Sequence, residues 1–362
     1  MVKKTKGGDF SPFFSLLLTL ILFEWMEYNE KVWKYLRLLS ECYHKIKKIK
    51  NGYGKMEQNL IDLLNRIVGK QNVKLDEPMS IHTTFRIGGP AEVFVTPQSA
   101  EEIEQVVLAC NNVSAPFFVI GHGSNLLVSD AGMQGVVIQL YNNFAKFRIE
   151  GTKVYAQAGV MLNRLGNAIR DAGLTGFEFA AGIPGTLGGA VMMNAGAYGG
   201  EMKDIVTAVQ LMDQNGNLLE KPGEEMEFGY RHSIVEEEGY IVIGATLTLQ
   251  EGRQEDITAK MEELAEARKT KQPLEHPSAG STFKRPEGYF AGKLIQDAGL
   301  RGYSVGGAQV SEKHCGFVIN KGGATAADVI QLITEVKQTV YDKFHVELEP
   351  EVRLMGIGQE RE

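Results

Sequence analysis

The apolar positions of EQNLIDLLNRIVG, at 57–69, recur every three or four residues and end at a glycine, which predicts a helix. AEVFVTP at 91–97 alternates instead and ends at proline, the pattern of a strand. SAEEIEQVVLACNN at 99–112 reads as an amphipathic helix with its acids first, and FFVIG at 117–121 as a buried strand entering a glycine loop. VVIQL at 136–140 predicts another strand, and MLNRLGNAIRDAG at 161–173 a helix stopped by Gly173. The chain then turns β-rich. IVTAVQLMD and LLEK flank Asn215-Gly216, a hairpin signal, and YIVIGATLTLQ at 240–250 is a long strand. QEDITAKMEELAEARKTKQ at 254–272 predicts a charged, exposed helix. Helices at 289–299 and 325–343 and strands at 315–320 and 346–354 complete the pattern. Strands and helices do not alternate regularly, so the expectation is an α+β fold rather than a doubly wound sheet.

Residues 1–55 stand apart. They carry 11 Lys/Arg and 5 Asp/Glu, whereas the chain as a whole has a net charge of −7. They also hold the one continuous apolar run, FFSLLLTLILF at 13–23, which is shorter than the ~20 residues a membrane-spanning helix needs. Three readings stay open: a translated upstream extension with Met56 as the original start, an amphipathic membrane anchor, or a secretory signal. The acidic balance of the remainder argues against nucleic acid as a partner. Three cysteines (Cys42, Cys110 and Cys315) show no CxxC spacing, which excludes a cysteine-built zinc site and suits a reducing compartment. The seven histidines show no ligand spacing, so no metal is expected.

Glycine is the compositional outlier, at 41 of 362 residues, and it clusters. GHGSNLLVSD at 121–130 follows a strand and offers backbone N–H groups and small polar side chains to a phosphate. It is neither G-x-G-x-x-G nor a P-loop, and taken alone it also reads as an ordinary strand-ending turn. GIPGTLGGAVMMNAGAYGGE at 182–201 has seven glycines in twenty residues, which permits close approach of a backbone to something flat or phosphorylated. Two such loops about sixty residues apart suit a large dinucleotide, though a purely structural glycine cluster is the plainer alternative.

These two segments, with IHTTFRIGGPA at 81–91, FGYRHSIV at 228–235, AGSTFKRP at 279–286 and LEPEVRLMG at 348–356, occur in the order seen in the UDP-N-acetylenolpyruvoylglucosamine reductase family. The resemblance runs from about 57 to 358 and is to the shorter form of that family. It implies a flavin-binding fold of the vanillyl-alcohol-oxidase type with a smaller α+β substrate domain. The boundaries it implies are 56–140 (joined by 346–358) and 141–256 for the two flavin subdomains, with 257–345 for substrate and 1–55 outside the match. It implies non-covalent FAD, NADPH as reductant, a UDP-linked enolpyruvyl amino sugar as substrate, and a cytoplasmic monomer with no stable membrane partner. Cofactor contacts implied are Gly121, Gly123, Ser124, Asn125 and Leu126 in the first loop. In the second they are Gly182, Ile183, Gly185, Thr186, Gly188, Gly189, Asn194 and Gly196.

Hydride addition to an enolpyruvyl ether leaves a carbanion delocalised into a carboxylate, so the site needs a fixed cation or proton donor at those oxygens and a second acid at carbon. By resemblance, Arg231 pairs with the substrate carboxylate, Glu351 acts as a protonated acid beside it, and Ser281 donates the proton to carbon. Lys271 matches a family lysine near the nucleotide-sugar phosphates, and Lys284 and Arg285 fall where the family has further polar contacts, although Arg285 stands where the longer form has asparagine. His314 in SEKHCGF is a further candidate substrate contact, with a structural histidine as the plainer alternative. Taken alone, Arg231 also reads as a surface cation, Ser281 as a turn serine, and Glu351 as a solvent-facing strand residue. Two rival functions remain: an oxidase of the same fold, with His122 available for covalent flavin attachment, or a non-catalytic flavin or nucleotide-sugar binding module. The rivals give no purpose to the Arg/Ser/Glu set.

Overall fold

The computed structural model describes residues 58–356, so the three readings of residues 1–55 lie outside the described residues. Helix α1 (58–68) turns Leu60, Leu64 and Val68 into the core, as its spacing requires. Strands β1 (Val73–Pro78), β2 (Pro90–Val95), β3 (Phe117–Ile120) and β5 (Met133–Gln139) form one mixed sheet in the order β1-β2-β5-β3. The β2–β5 and β3–β5 pairs are parallel, and helix α2 (Ala100–Asn112) supplies the crossover that parallel strands demand. Ser99 caps α2 by accepting the Glu102 N–H, and two glutamates occupy its first turn.

A second, antiparallel sheet takes β6 (Phe147–Glu150), β7 (Lys153–Gln157), β8 (Val206–Met212), β9 (Leu218–Pro222) and β10 (Ile241–Thr248) in the order β9-β8-β10-β7-β6. The Asn215-Gly216 hairpin is present, with Gly216 at φ +85, where a side chain would be strained. Helices α3 (Leu162–Asp171), α4 (Glu178–Ala181), α5 (Leu187–Met192), α6 (Ile234–Glu237) and α7 (Gln254–Lys271) surround this sheet or follow it. The third sheet is β11 (Ser278–Ser281), β12 (Ser304–Val305), β13 (Ala308–Val310) and β14 (Phe317–Asn320), in the order β11-β14-β13-β12. It packs with α8 (Ala291–Asp297) and α9 (Ala326–Phe344) around its own apolar cluster, which includes Leu294, Ile295, Val318, Val329 and Leu332.

One expected element is corrected. Residues 346–354 were expected to form a strand, but only β15 (Arg353–Met355) is one. His345 closes α9 in the left-handed region, and Pro350, which has no N–H to give a ladder, makes only an isolated bridge to Phe283. That break positions the site. β15 pairs in parallel with β4 (Leu126–Val128), with Arg353 opposite Leu126, so the C-terminal segment lies beside the first glycine loop. Asp130, at the end of that loop, accepts the N–H groups of Ala326 and Ala327 and so ties α9 to it.

Candidate active site

The two glycine loops pack against each other. A Cβ on Gly121 would come within 2.1 Å of Thr186 Oγ1, and one on Gly185 within 3.1 Å of Ser124 Oγ, so glycine is what lets the loops interlock. Between them lies a cavity of about 420 Å³. Gly121 and Gly123 through Leu126 line it from one side, and Ile183, Gly185, Thr186, Gly188 and Gly189 from the other. These ten candidate cofactor residues therefore share one cradle. Its wall of glycines, small side chains and Leu140, Leu162 and Met192 suits a molecule with a flat apolar part and a phosphate-bearing part, as FAD has.

A second cavity of about 820 Å³ adjoins it, since His122, Ile183, Pro184, Met193 and Ala195 line both. Arg231, Ser281 and Glu351, distant in sequence, all line this larger space. Arg231 sits at φ +55 in a tight turn where Gly229 and His232 exchange backbone hydrogen bonds of 3.1 and 3.3 Å. That strained conformation is held from beneath. The Asn194 amide donates to Gly229 O at 2.9 Å, and the buried Ser233 hydroxyl donates to Met192 O at 2.6 Å. Arg231 Nε donates to Glu351 Oε1 at 2.7 Å, with both side chains mostly shielded from solvent. The Glu351 backbone is pinned as well, because its N–H donates to Thr282 O and its carbonyl accepts from Asn125 Nδ2 at 3.1 Å. Burial pushes the Glu351 carboxyl above its ordinary pKa, and the positive charges of Arg231 and Lys284 oppose that rise.

The other sequence candidates divide. Gly196 lines the larger cavity, while Asn194 reaches neither: it is 0% exposed, with its amide spent on Glu201, Gly229 and the Lys203 N–H. Gly182 also lines neither, and its α-carbon faces the Arg268 guanidinium, where a Cβ would fall 1.7 Å from Nη1. Lys284 pairs with Glu349 at 2.5 Å, close enough to Glu351 for its charge to be felt. Lys271 is exposed and lines neither cavity. His314 turns inward against Phe317, accepts the Gly316 N–H at 3.1 Å, and likewise reaches neither cavity. Arg285 lies over the Phe290 ring at 4.0 Å and outside both. His122 stacks on Tyr141, and burial lowers its pKa, which favours the neutral ring.

Arg268 was not anticipated. It lies one helical turn before Lys271, is only 8% exposed, and lines the larger cavity with no carboxylate partner among the described residues. The Tyr198 ring lies 5.5 Å from its Cζ, and burial depresses its pKa against the favourable interaction with Tyr198. The signal available in sequence was a single arginine amid an exposed, charged helix, and nothing in that pattern marks it as buried. Among the described residues, no group of three His, Cys, Asp or Glu could hold a metal, and Cys110 and Cys315 are free.

Residues 91–221 match a family described as an FAD binding domain, over the stretch that contains both glycine loops. With the α+β architecture around the glycine cradle, this defines a flavoprotein of the FAD-binding class. Residues 272–355 match the UDP-N-acetylenolpyruvoylglucosamine reductase C-terminal domain. The reductase of that name from Clostridioides difficile is 55% identical over 296 residues, which cover 82% of this chain and 97% of that one. The Lachnoclostridium phytofermentans reductase is 56% identical over 305 residues, covering 83% and 98%. The crystal structure of the Thermus caldophilus enzyme superposes with a TM-score of 0.68 at 38% identity, over 78% of this chain and 98% of that one. The chain belongs to the UDP-N-acetylenolpyruvoylglucosamine reductase family. This sets aside the oxidase and the non-catalytic binding module. No helix among the described residues is long and apolar enough to cross a membrane.

Proposed function

We propose that the protein uses NADPH and non-covalent FAD to reduce UDP-N-acetylenolpyruvoylglucosamine to UDP-N-acetylmuramate, as a cytoplasmic monomer supplying peptidoglycan precursor. The observation that carries this reading is the convergence of Arg231, Ser281 and Glu351 on one cavity beside the glycine cradle. We assign FAD to the part built on the first two sheets and the sugar nucleotide to the third, with the larger cavity between. When bound, FAD supplies the hydride that it receives from NADPH; the protein's own residues do the rest.

Arg231 offers a fork of fixed donors, matched to the two oxygens of the substrate carboxylate. Taking that carboxylate draws Arg231 from Glu351, which is then left with burial as the dominant influence on its pKa. Glu351 accordingly holds a proton and donates a hydrogen bond to the oxygens that gain charge. Ser281 is half-buried, and its hydroxyl has no hydrogen-bond partner among the described residues, so it is free to donate to carbon. The apolar wall of the junction, including Ile183, Pro184 and Met193, keeps water from the exposed carbanion.

The test is direct: purified protein should be yellow, bleach with NADPH and regain colour with the enolpyruvyl sugar under anaerobic conditions. Colour that returns only with O₂ would refute the assignment. Acid precipitation should release all the flavin to the supernatant; colour retained in the pellet would mean a covalent link, with His122 the residue to inspect.

The pH dependence has a definite sign. Glu351 is needed protonated, so reoxidation by the sugar should fall as pH rises through its elevated pKa. In the sugar-free protein Arg231 holds that pKa down, so at sub-saturating sugar Arg231→Met should carry the falling limb to higher pH while lowering the rate throughout. Stopped-flow reoxidation across pH measures both; a limb unmoved by Arg231→Met would assign it to another group.

A further inference from the structure

The narrower cavity poses a charge problem. Its fixed charges, among the described residues lining it, are Glu236 and Arg353, and those two are paired with each other. The pair is bidentate, with Nη1 and Nη2 of Arg353 each donating at 2.6 Å to separate oxygens of Glu236. His122 also lines the wall, and burial biases it to its neutral form. A cavity that takes a dinucleotide must accommodate a diphosphate with two negative charges. Backbone N–H groups supply only partial positive charge. As built, the side chains sum to zero.

Arg353 is placed to correct this. Its backbone N–H donates to Asn125 O at 2.9 Å, and it stands opposite Leu126 in the parallel β15–β4 pair, so it rises beside the Gly121–Leu126 loop. Its side chain is 28% exposed and that of Glu236 is 52% exposed, so the pair is open to water and weakly held for its geometry. A diphosphate presents more charge and the same two-oxygen geometry as a carboxylate, and it can take the fork from Glu236.

We propose that Arg353 is the cation that receives the cofactor's diphosphate, and that Glu236 is its resident counter-ion, competing with the diphosphate for the guanidinium. This rests on the reading of the cavity as the FAD site. The alternative role for the pair is a clamp. It joins α6, which follows Arg231, to the strand that follows Glu351, so it could simply hold the two loops in register.

The two roles predict different signs. The experiment strips flavin from the full-length protein and titrates FAD back by fluorescence quenching, with riboflavin, which lacks phosphate, as the control ligand. Arg353→Met keeps most of the stem and loses the charge. It should weaken FAD by at least ~10-fold, the loss of one charge-assisted contact, and leave riboflavin unchanged. Glu236→Gln removes the competitor and should tighten FAD, by roughly 3- to 10-fold at low salt, again without changing riboflavin. A clamp would instead make both variants weaken both ligands, and that result overturns the proposal. So does a Glu236→Gln protein that binds FAD no more tightly than wild type. If Arg353→Met fails to fold, Arg353→Lys, which keeps the charge but loses the fork, should weaken FAD by an intermediate factor and leave riboflavin unchanged. Wild-type apo-protein that takes up neither flavin would overturn the cofactor reading itself.

Discussion

Ser281→Ala should leave bleaching by NADPH near its normal rate and slow reoxidation by the enolpyruvyl sugar by more than ~10²-fold, the scale for losing a positioned acid. The two half-reactions make different demands. Reduction by NADPH creates no enolate, so a proton donor at the far side of the cavity has nothing to do. Transfer to the sugar creates a carbanion that must be protonated at carbon, and among the candidates Ser281 is the hydroxyl that lines the cavity with no other bond to make. Its position is fixed by backbone rather than by its own side chain. Ser281 is the last residue of β11 and lies opposite Phe317, with Gly280 before it at φ +75 and a shift in register between Ser278 and Ser281. The irregularity turns a strand-edge hydroxyl into the cavity, and alanine would preserve it. Single-turnover traces in each direction decide the matter. Slowed bleaching with normal reoxidation would place Ser281 with the flavin-binding loops instead.

Much of this arrangement was legible in the sequence, for identifiable reasons. Helices α1, α2, α3 and α9 were readable because each has a one-sided apolar stripe or a capping residue that local chemistry dictates, and α7 because it is a long run of helix-forming residues with acids first and bases last. The hairpin at Asn215-Gly216 was readable because few residue pairs accept its backbone geometry. The strand β1 was not: VKLDEP buries little on either face and has Asp76 at φ +52, so it carries no period of two. It is a strand because β2 beside it supplies a partner. The hairpin of β6 and β7 does alternate, with Gly151 at its turn, and that signal went unread.

The site shows the same division. Glycine spacing identified the cradle, because close approach of two backbones excludes side chains whatever the partner sequence. Arg231 and Glu351 were named by resemblance alone; nothing local predicts that residues 120 apart will meet at 2.7 Å. Asn194 was named as a cofactor contact by resemblance, whereas in the structure its amide holds the Arg231 turn. Lys271 was named by motif position and Arg268 not at all, whereas burial singles out Arg268.

Arg268→Met should therefore separate stability from function. A buried guanidinium with no carboxylate is an expense to the empty protein: desolvation is unfavourable, and the Tyr198 contact offsets only part of it. Methionine fills much of the same space without that cost, so the flavin-free variant should unfold at a temperature a few degrees higher, equivalent to about 1 kcal/mol. Function should move the other way. Arg268 lines the larger cavity on the side of Gly182, next to the junction with the cradle, and is one of the few fixed cations facing ligands that are anionic throughout. Losing a fixed charge aimed at negative charge in a shielded site costs ~10²-fold or more in rate. Gly182→Ala tests the same idea without removing the arginine, since its Cβ would displace the guanidinium end. It should reproduce part of the loss in turnover with little change in the unfolding temperature. Calorimetry of the flavin-free proteins and steady-state turnover of the loaded ones supply the two readouts. An Arg268→Met protein that is both less stable and fully active would show that the guanidinium serves the packing of α7 and faces no ligand.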